Sequence, residues 1–388
     1  MTQISNLSAN WNYPTVMRCG AGRIKELADT CRELGMKKPL LVTDPGIAKL
    51  PMVNEILRDN KAKGMLTGIF QDIKPNPTCK NVDDGLKVYR ENGYDGVIAF
   101  GGGSALDAAK AIALVSGQTR PLWDFEDIGD NWARVNPDDV ALIIAVPTTA
   151  GTGSEVGRAS VIVQEETHSK KIIFHPKMLP SVVISDPELT IGLPAPVTAA
   201  TGMDALSHCL EALCAPGYHP MADGIAVEGI RLIAEWLPIA VDDGSNLEAR
   251  YHMLVAASMG ATAFQKGLGA MHSLAHPIGA IYDVHHGLTN AVLMPYVLEY
   301  NKSAIEDRMT RLAAYLGFEN PSFEAIMKWV LALKERFEIP VGLDGLGIDA
   351  SKADEIAEKA ALDPTAPTNA IPLTVANMKT IFMSALNT

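Results

Sequence analysis

The pattern that most narrows the fold is a change of texture part-way along the chain. Up to about residue 190, short β-branched and apolar runs alternate with helically spaced segments, and beyond it strand-like runs become rare. Residues 40–44 read as a buried strand, followed by a helical stretch to about Lys63 and a second strand over 65–70. Residues 82–91 and 104–115 read as helices around a strand at 96–100, and 141–146 form a further apolar strand. Such alternation predicts a mostly parallel sheet covered by helices. Residues 75–78 read as a turn, and 121–139, rich in Asp, Trp, Pro and Gly, as an irregular loop over the sheet edge. In the second half, 221–236, 248–264 and 308–316 carry helical spacing. The expectation is an α/β domain over residues 1–190 and an all-helical domain over 191–388, with the cleft between them as the ligand position.

Size and charge agree. A chain of 388 residues is too long for one small core. A net charge of -12 argues against nucleic acid or an anionic membrane as partner, because either calls for a basic surface, and leaves small molecules. No apolar run reaches the roughly 18 residues of a membrane span. The polar start Met1-Thr-Gln-Ile-Ser-Asn lacks the regions of a signal peptide, so a cytoplasmic location is expected. Five cysteines without any Cys-x-x-Cys fit a reducing compartment, and Cys209 reads as a small core residue.

The chemistry concentrates in histidines. Asp204 and His208 are four residues apart, as are His272 and His276, and His285 and His286 follow. On helices, that spacing stacks each pair on one face, so two facing helices can converge on one point. A single Asp-x-x-x-His pair is commonly an ion pair. Here, however, five of the nine histidines fall beside Asp204 or between 272 and 286, amid small apolar residues where polar groups need partners. One carboxylate with two or three imidazoles suits Fe(II) or Zn(II) better than Mg(II) or Ca(II), which prefer oxygen shells.

A second group of residues lies at strand ends. The strand at 96–100 runs into Gly101-Gly-Gly-Ser104 and a helix, a geometry that lets backbone approach a phosphate and points free N–H groups at it. Ser104 and Asp107 have the spacing of a capping box with Ser104 as N-cap. Neither Gly-x-Gly-x-x-Gly after the first strand nor a glycine loop ending in Lys-Ser or Lys-Thr is present. Asp44, in Asp44-Pro-Gly46, is either a turn residue or a carboxylate for the ribose hydroxyls of an adenosine, which would favour NAD over NADP. Pro147-Thr-Thr-Ala-Gly-Thr-Gly-Ser-Glu155 supplies another glycine- and hydroxyl-rich turn.

Taken together, Gly101 to Lys110, Pro147 to Glu155, the Asp204/His208 pair and the His272/His276/His286 cluster resemble the iron-containing, or group III, alcohol dehydrogenases over nearly the whole chain. The resemblance implies a Rossmann-like N-terminal domain, a helical C-terminal domain, a nicotinamide cofactor and one divalent metal. It also implies a homodimer or larger homo-oligomer. Carried over by motif, the metal ligands are Asp204, His208, His272 and His286, with His276 beside substrate and nicotinamide and His285 at no ligand position. The implied cofactor residues are Asp44, Asn76, Gly102, Gly103, Ser104, Thr148, Thr149, Lys170, Leu189 and Gly192. The implied activity is hydride transfer between a small alcohol or aldehyde and NAD, with Fe(II) as the metal and Zn(II) suited to the same donors.

Two departures from the family pattern bear on the site. Gly157 replaces a threonine that contacts cofactor, and 264–269 is one residue shorter than the family's Phe-x-Asn-x-x-Leu-Gly, so the substrate wall is expected to differ. Glycerol dehydrogenases and dehydroquinate synthases share the architecture. The latter use Glu with two histidines and many basic residues, whereas here the first ligand is Asp204 and a fourth, His286, is present. A non-enzymatic metal-binding protein has only the chain's acidity in its favour.

Overall fold

A computed structural model describes residues 15–167 and 169–386. They separate into two compact units, one of residues 15–193 with Ser245–Leu254, the other of Pro194–Gly244 with residues 255–386.

The first unit is built on β1 (Val16–Cys19), β2 (Pro39–Val42), β3 (Gly68–Phe70), β4 (Gly96–Gly101), β5 (Leu142–Pro147), the hairpin β6 (Ala159–Gln164) and β7 (Ser169–Phe174), and β8 (Val182–Ser185). Helices α1 (Leu27–Glu33), α2 (Pro51–Ala62), α3 (Cys79–Glu91) and α4 (Gly103–Val115) alternate with them. The main sheet is parallel throughout, in the order β1-β8-β5-β4-β2-β3. Every residue of β2, β4 and β8 is buried, as a sheet covered on both faces requires. From β2 the chain passes outward to β3, then returns to β4 and proceeds the other way through β5 to β8. The order therefore reverses between β2 and β4, the switch point beside which doubly wound sheets bind ligands.

The strands and helices expected in this unit are present within a few residues of their predicted ends, and residues 121–139 form short 3-10 turns linked by irregular chain. Strands β1 and β8 and the hairpin β6–β7 were not predicted. Runs such as Val182-Val-Ile and Val161-Ile-Val carried a β-branched signal that could have marked them.

The second unit comprises α5 (Ala195–Cys214), α6 (Pro220–Asp242), the C-terminal half of α7 (Leu247–Ala263), α8 (Ala270–Tyr282), α9 (His286–Tyr315), α10 (Phe323–Arg336), α11 (Ala353–Ala361) and α12 (Val375–Ser384). Among its described residues there is no strand, as predicted. Helix α5 is almost wholly buried and packs chiefly against α6 and α9. Cys209 is in the core as expected, its sulfur so close to Gly229 that a Cβ there would come within 2.8 Å. Among the described residues no helix is long and apolar enough to cross a membrane.

Candidate metal centre and cofactor edge

The histidine cluster is assembled from three helices. Asp204 and His208 lie one turn apart on α5, His272 and His276 one turn apart on α8, and His286 opens α9. A short connection, with Asp283 in the left-handed region at φ 52°, reverses the chain between α8 and α9 and returns His286 to the cluster. His285 is the α9 N-cap, its Nδ1 accepting from the Leu288 N–H at 3.3 Å, which gives it a helix-capping role.

Asp204, His208 and His272 offer donor atoms that all lie within 4.8 Å of one another, and all three are buried. His286 Nε2 is 3.8 Å from Asp204 Oδ1, and its ring centroid is 5.3 Å from that of His272. Donors sharing one ion at about 2.1 Å stand roughly 3 to 4 Å apart, so the set fits a single divalent ion after small adjustments. His276 lies at the rim, its ring stacked on His286 at 5.5 Å with 12° between planes.

The sequence reading missed three residues that organise this cluster. Glu211, on the same face of α5 as Asp204 and His208, accepts from His272 Nδ1 at 2.6 Å with one oxygen and from the Met271 N–H at 2.7 Å with the other. It thereby caps α8 and fixes His272 with Nδ1 protonated and the Nε2 lone pair turned into the cluster. Burial disfavours a charged His272, but the Glu211 hydrogen bond and charge, with Asp204 and Asp363, outweigh it and raise the pKa. Asp363 accepts from His276 Nδ1 at 2.8 Å, while its other oxygen accepts from the Thr365 N–H and hydroxyl at 2.9 and 2.6 Å. Burial opposes ionisation of Asp363, yet the His276 charge and these hydrogen bonds hold its pKa below the ordinary value. Asn290, one turn after His286, is the third. The i+3 and i+4 positions of His208 and His286 were the available signal for Glu211 and Asn290. Asp363, far along the chain, had none.

Close approach of α9 to α5 depends on Gly287. A Cβ there would stand 2.5 Å from Ala200 O and 2.9 Å from Asp204 Cβ, so only glycine lets His286 reach Asp204. Gly287→Ala is expected to force the helices apart, costing about 1 to 3 kcal/mol as overpacking and lowering metal content. Unchanged melting and metal stoichiometry would show that the contact is dispensable. The 264–269 segment forms a 3-10 turn (Phe264–Lys266) and is tightly packed at both later glycines. Thr368 would clash with a Cβ on Gly267, and Asn369 with one on Gly269.

In the other unit, the sequence-predicted cofactor residues gather along the C-terminal edge of the sheet. Asp44 follows β2, Gly102–Ser104 follow β4, Thr148 and Thr149 follow β5, and Leu189 and Gly192 follow β8. The Thr148 N–H donates to Gly101 O at 2.9 Å, and a Cβ on Gly102 or Gly103 would meet Thr149 at 3.3 Å or Thr152 at 2.6 Å. Gly101, at φ 144°, turns the chain into α4. Ser104 Oγ donates to Pro75 O, which draws the turn containing Asn76 to the glycine loop. The hairpin carrying Lys170 joins that turn through the Val163 N–H, which donates to Pro77 O at 2.8 Å. Thr148 Oγ1 is buried without a hydrogen-bond partner among the described residues, an acceptor and donor suited to a polar ligand.

The capping box expected at Ser104 is absent. The N-cap is Gly102, whose carbonyl accepts from the Leu106 N–H at 3.0 Å, and the helix begins at Gly103. Asp107 instead accepts from Ser154 Oγ at 2.5 Å and the Val161 N–H at 2.9 Å, holding β6 against α4. With no side chain at the cap, the first N–H groups of α4 are left for an anion. Asp44 Oδ1 accepts from the Gly46 and Ile47 N–H groups at 2.8 and 2.9 Å, so the residue forms its turn. Its Oδ2 would lie 3.7 Å from a Cβ on Gly101, beside the glycine loop. Leu189 is part of the apolar core, and Gly192 has open space around it. Gly157 likewise has only ordinary contacts, the nearest 3.5 Å away, so nothing local demands glycine there.

A parallel sheet with a glycine-rich edge and a helical unit carrying a carboxylate and imidazole cluster suit a metal-dependent dehydrogenase. Residues 14–187 match the iron-containing alcohol dehydrogenase profile, and residues 198–386 that of the Fe-containing alcohol dehydrogenase family C-terminal region. The chain belongs to the iron-containing alcohol dehydrogenase family. It is an oxidoreductase that acts on alcohols. It is 38% identical to 4-hydroxybutyrate dehydrogenase of Cupriavidus necator over 92% of this chain and 94% of that protein. A solved 1,3-propanediol oxidoreductase superposes with a TM-score of 0.92 at 37% identity, covering 97% of this chain and 100% of that one. Sulfoacetaldehyde reductase from Bifidobacterium kashiwanohense, solved with NAD+, gives a TM-score of 0.88 at 30% identity, covering 98% and 100%. The dehydroquinate synthase-like alternative is not favoured, since both halves match the alcohol dehydrogenase family.

Proposed function

We propose that this enzyme interconverts a short primary alcohol and its aldehyde with NAD, using Fe(II) held by Asp204, His208, His272 and His286. The observation that carries the reading is the convergence of these four side chains, with Glu211 committing His272 Nε2 to the cluster. Relatives named for 4-hydroxybutyrate, methanol, 1,3-propanediol and sulfoacetaldehyde support a short alcohol or aldehyde substrate. When bound, a divalent ion would supply Lewis acidity to an alcohol or carbonyl oxygen, and NAD would supply the hydride acceptor.

The chain's own residues do the rest. Glu211 holds the His272 tautomer. Asp363 engages His276 Nδ1 and leaves Nε2 to accept the proton released as alcohol becomes aldehyde, and to return it in reverse. On the cofactor side, the glycine loop with the α4 N-terminus would receive the pyrophosphate, with Thr148 and Thr149 along its edge, and Asp44 would take the adenosine ribose. Asn76, Lys170, Leu189 and Gly192 would complete the nucleotide site. A panel of short alcohols and aldehydes, run with anaerobically Fe(II)-loaded protein while NADH absorbance is followed, tests the reading. No turnover across the panel would reject it.

Cofactor choice gives a separate test. The Asp44 carboxylate offers NAD a charge-assisted hydrogen bond of about 1.5 to 3 kcal/mol and repels a 2'-phosphate. Asp44→Gly should lower the NAD to NADP ratio of kcat/KM by at least about tenfold, which needs only about 1.4 kcal/mol of differential binding. Asp44→Asn retains Oδ1 for the turn and isolates the charge. An unchanged ratio in both variants would leave Asp44 as a turn residue alone.

A further inference from the structure

Asn290 occupies a position that its own chemistry cannot fully satisfy. It is fully buried on α9, and its Nδ2 lies 2.9 Å from Asp204 Oδ1 and 3.2 Å from both His272 Nε2 and His286 Nε2. An amide nitrogen carries two hydrogens, so three acceptors compete for them. The other end of the amide, Oδ1, is buried with no hydrogen-bond partner among the described residues. A buried amide that leaves its oxygen unpaired while its nitrogen faces three ligand-type atoms is placed for those atoms, not for packing.

The three contacts differ in kind. Glu211 accepts from His272 Nδ1, so His272 Nε2 has one lone pair, and that lone pair can serve Asn290 or an ion but not both. A carboxylate oxygen has lone pairs to spare, so the bond to Asp204 persists when an ion binds. We propose that Asn290 is a positioning residue of the metal centre, holding the Asp204 carboxylate toward the ion. Its contacts with the two imidazoles keep the ligands together until an ion takes their lone pairs. The inference rests on reading the cluster as the metal centre.

Cobalt(II) serves as the probe, titrated against a competing chelator with its visible ligand-field band recorded. The unsubstituted protein should bind it. Asn290→Leu, which fills the volume without donating, and Asn290→Ala should each bind about 10- to 100-fold more weakly, as loss of a partner behind a ligand does, with an altered band. The gap in melting temperature between metal-free and loaded protein should shrink in both. NAD binding serves as the control for folding. Should Asn290→Leu bind cobalt as the unsubstituted protein does, or should metal-free and loaded forms lose stability equally, Asn290 only packs and the proposal is overturned. Failure of the unsubstituted protein to bind cobalt would instead overturn the metal centre itself.

Discussion

His272→Ala is expected to abolish bound metal and alcohol oxidation together while leaving NAD binding nearly intact. His272 is the most constrained of the four proposed ligands, buried, oriented through Nδ1 by Glu211 and stacked on His208 at 4.7 Å. Its removal deletes a donor and also strands Glu211 Oε2 in a buried position, where an unsatisfied polar group costs about 1 to 3 kcal/mol. Asp204→Ala should have the same effect on metal for a different reason, since it removes the only anionic donor of the set. The proposed cofactor residues belong to the other compact unit, which retains its own core and loops. Elemental analysis after dialysis, alongside a nucleotide titration, checks both variants. Full metal content in either would remove that residue from the ligand set.

His276→Ala separates proton handling from metal binding. Metal should be retained and the rate should fall on the order of 10²-fold, the usual loss when general acid or base assistance is removed. Asp363 would keep its two hydrogen bonds from Thr365, so the protein should remain folded. Metal content falling in step with the rate would make His276 a ligand and overturn its assignment. Retained metal with an unchanged rate would place proton transfer elsewhere.

Periodicity alone marked β2 to β5 with α2 to α4 in the first unit and the helical nature of the second, but not β1, β8 or the β6–β7 hairpin, because burial on both sheet faces and on one helix face writes directly into local sequence. Spacing also made the metal chemistry legible. Residues four apart on a helix share a face whatever the fold, so Asp204 with His208 and His272 with His276 could be paired from sequence. Tertiary structure alone decided which of these residues meet. Glu211 reads as an ordinary helical carboxylate until the start of α8 is laid against it, and Asp363 reads as a loop residue until α8 brings His276 within 2.8 Å. Gly287 gives no local hint that two helices must touch there. At Ser104 local sequence pointed the wrong way. The box spacing was present, but its hydroxyl was taken by Pro75 O and its partner Asp107 by Ser154 and Val161. A local motif forms only when its groups have no better partner, and partners distant in the chain exist only once the fold has formed.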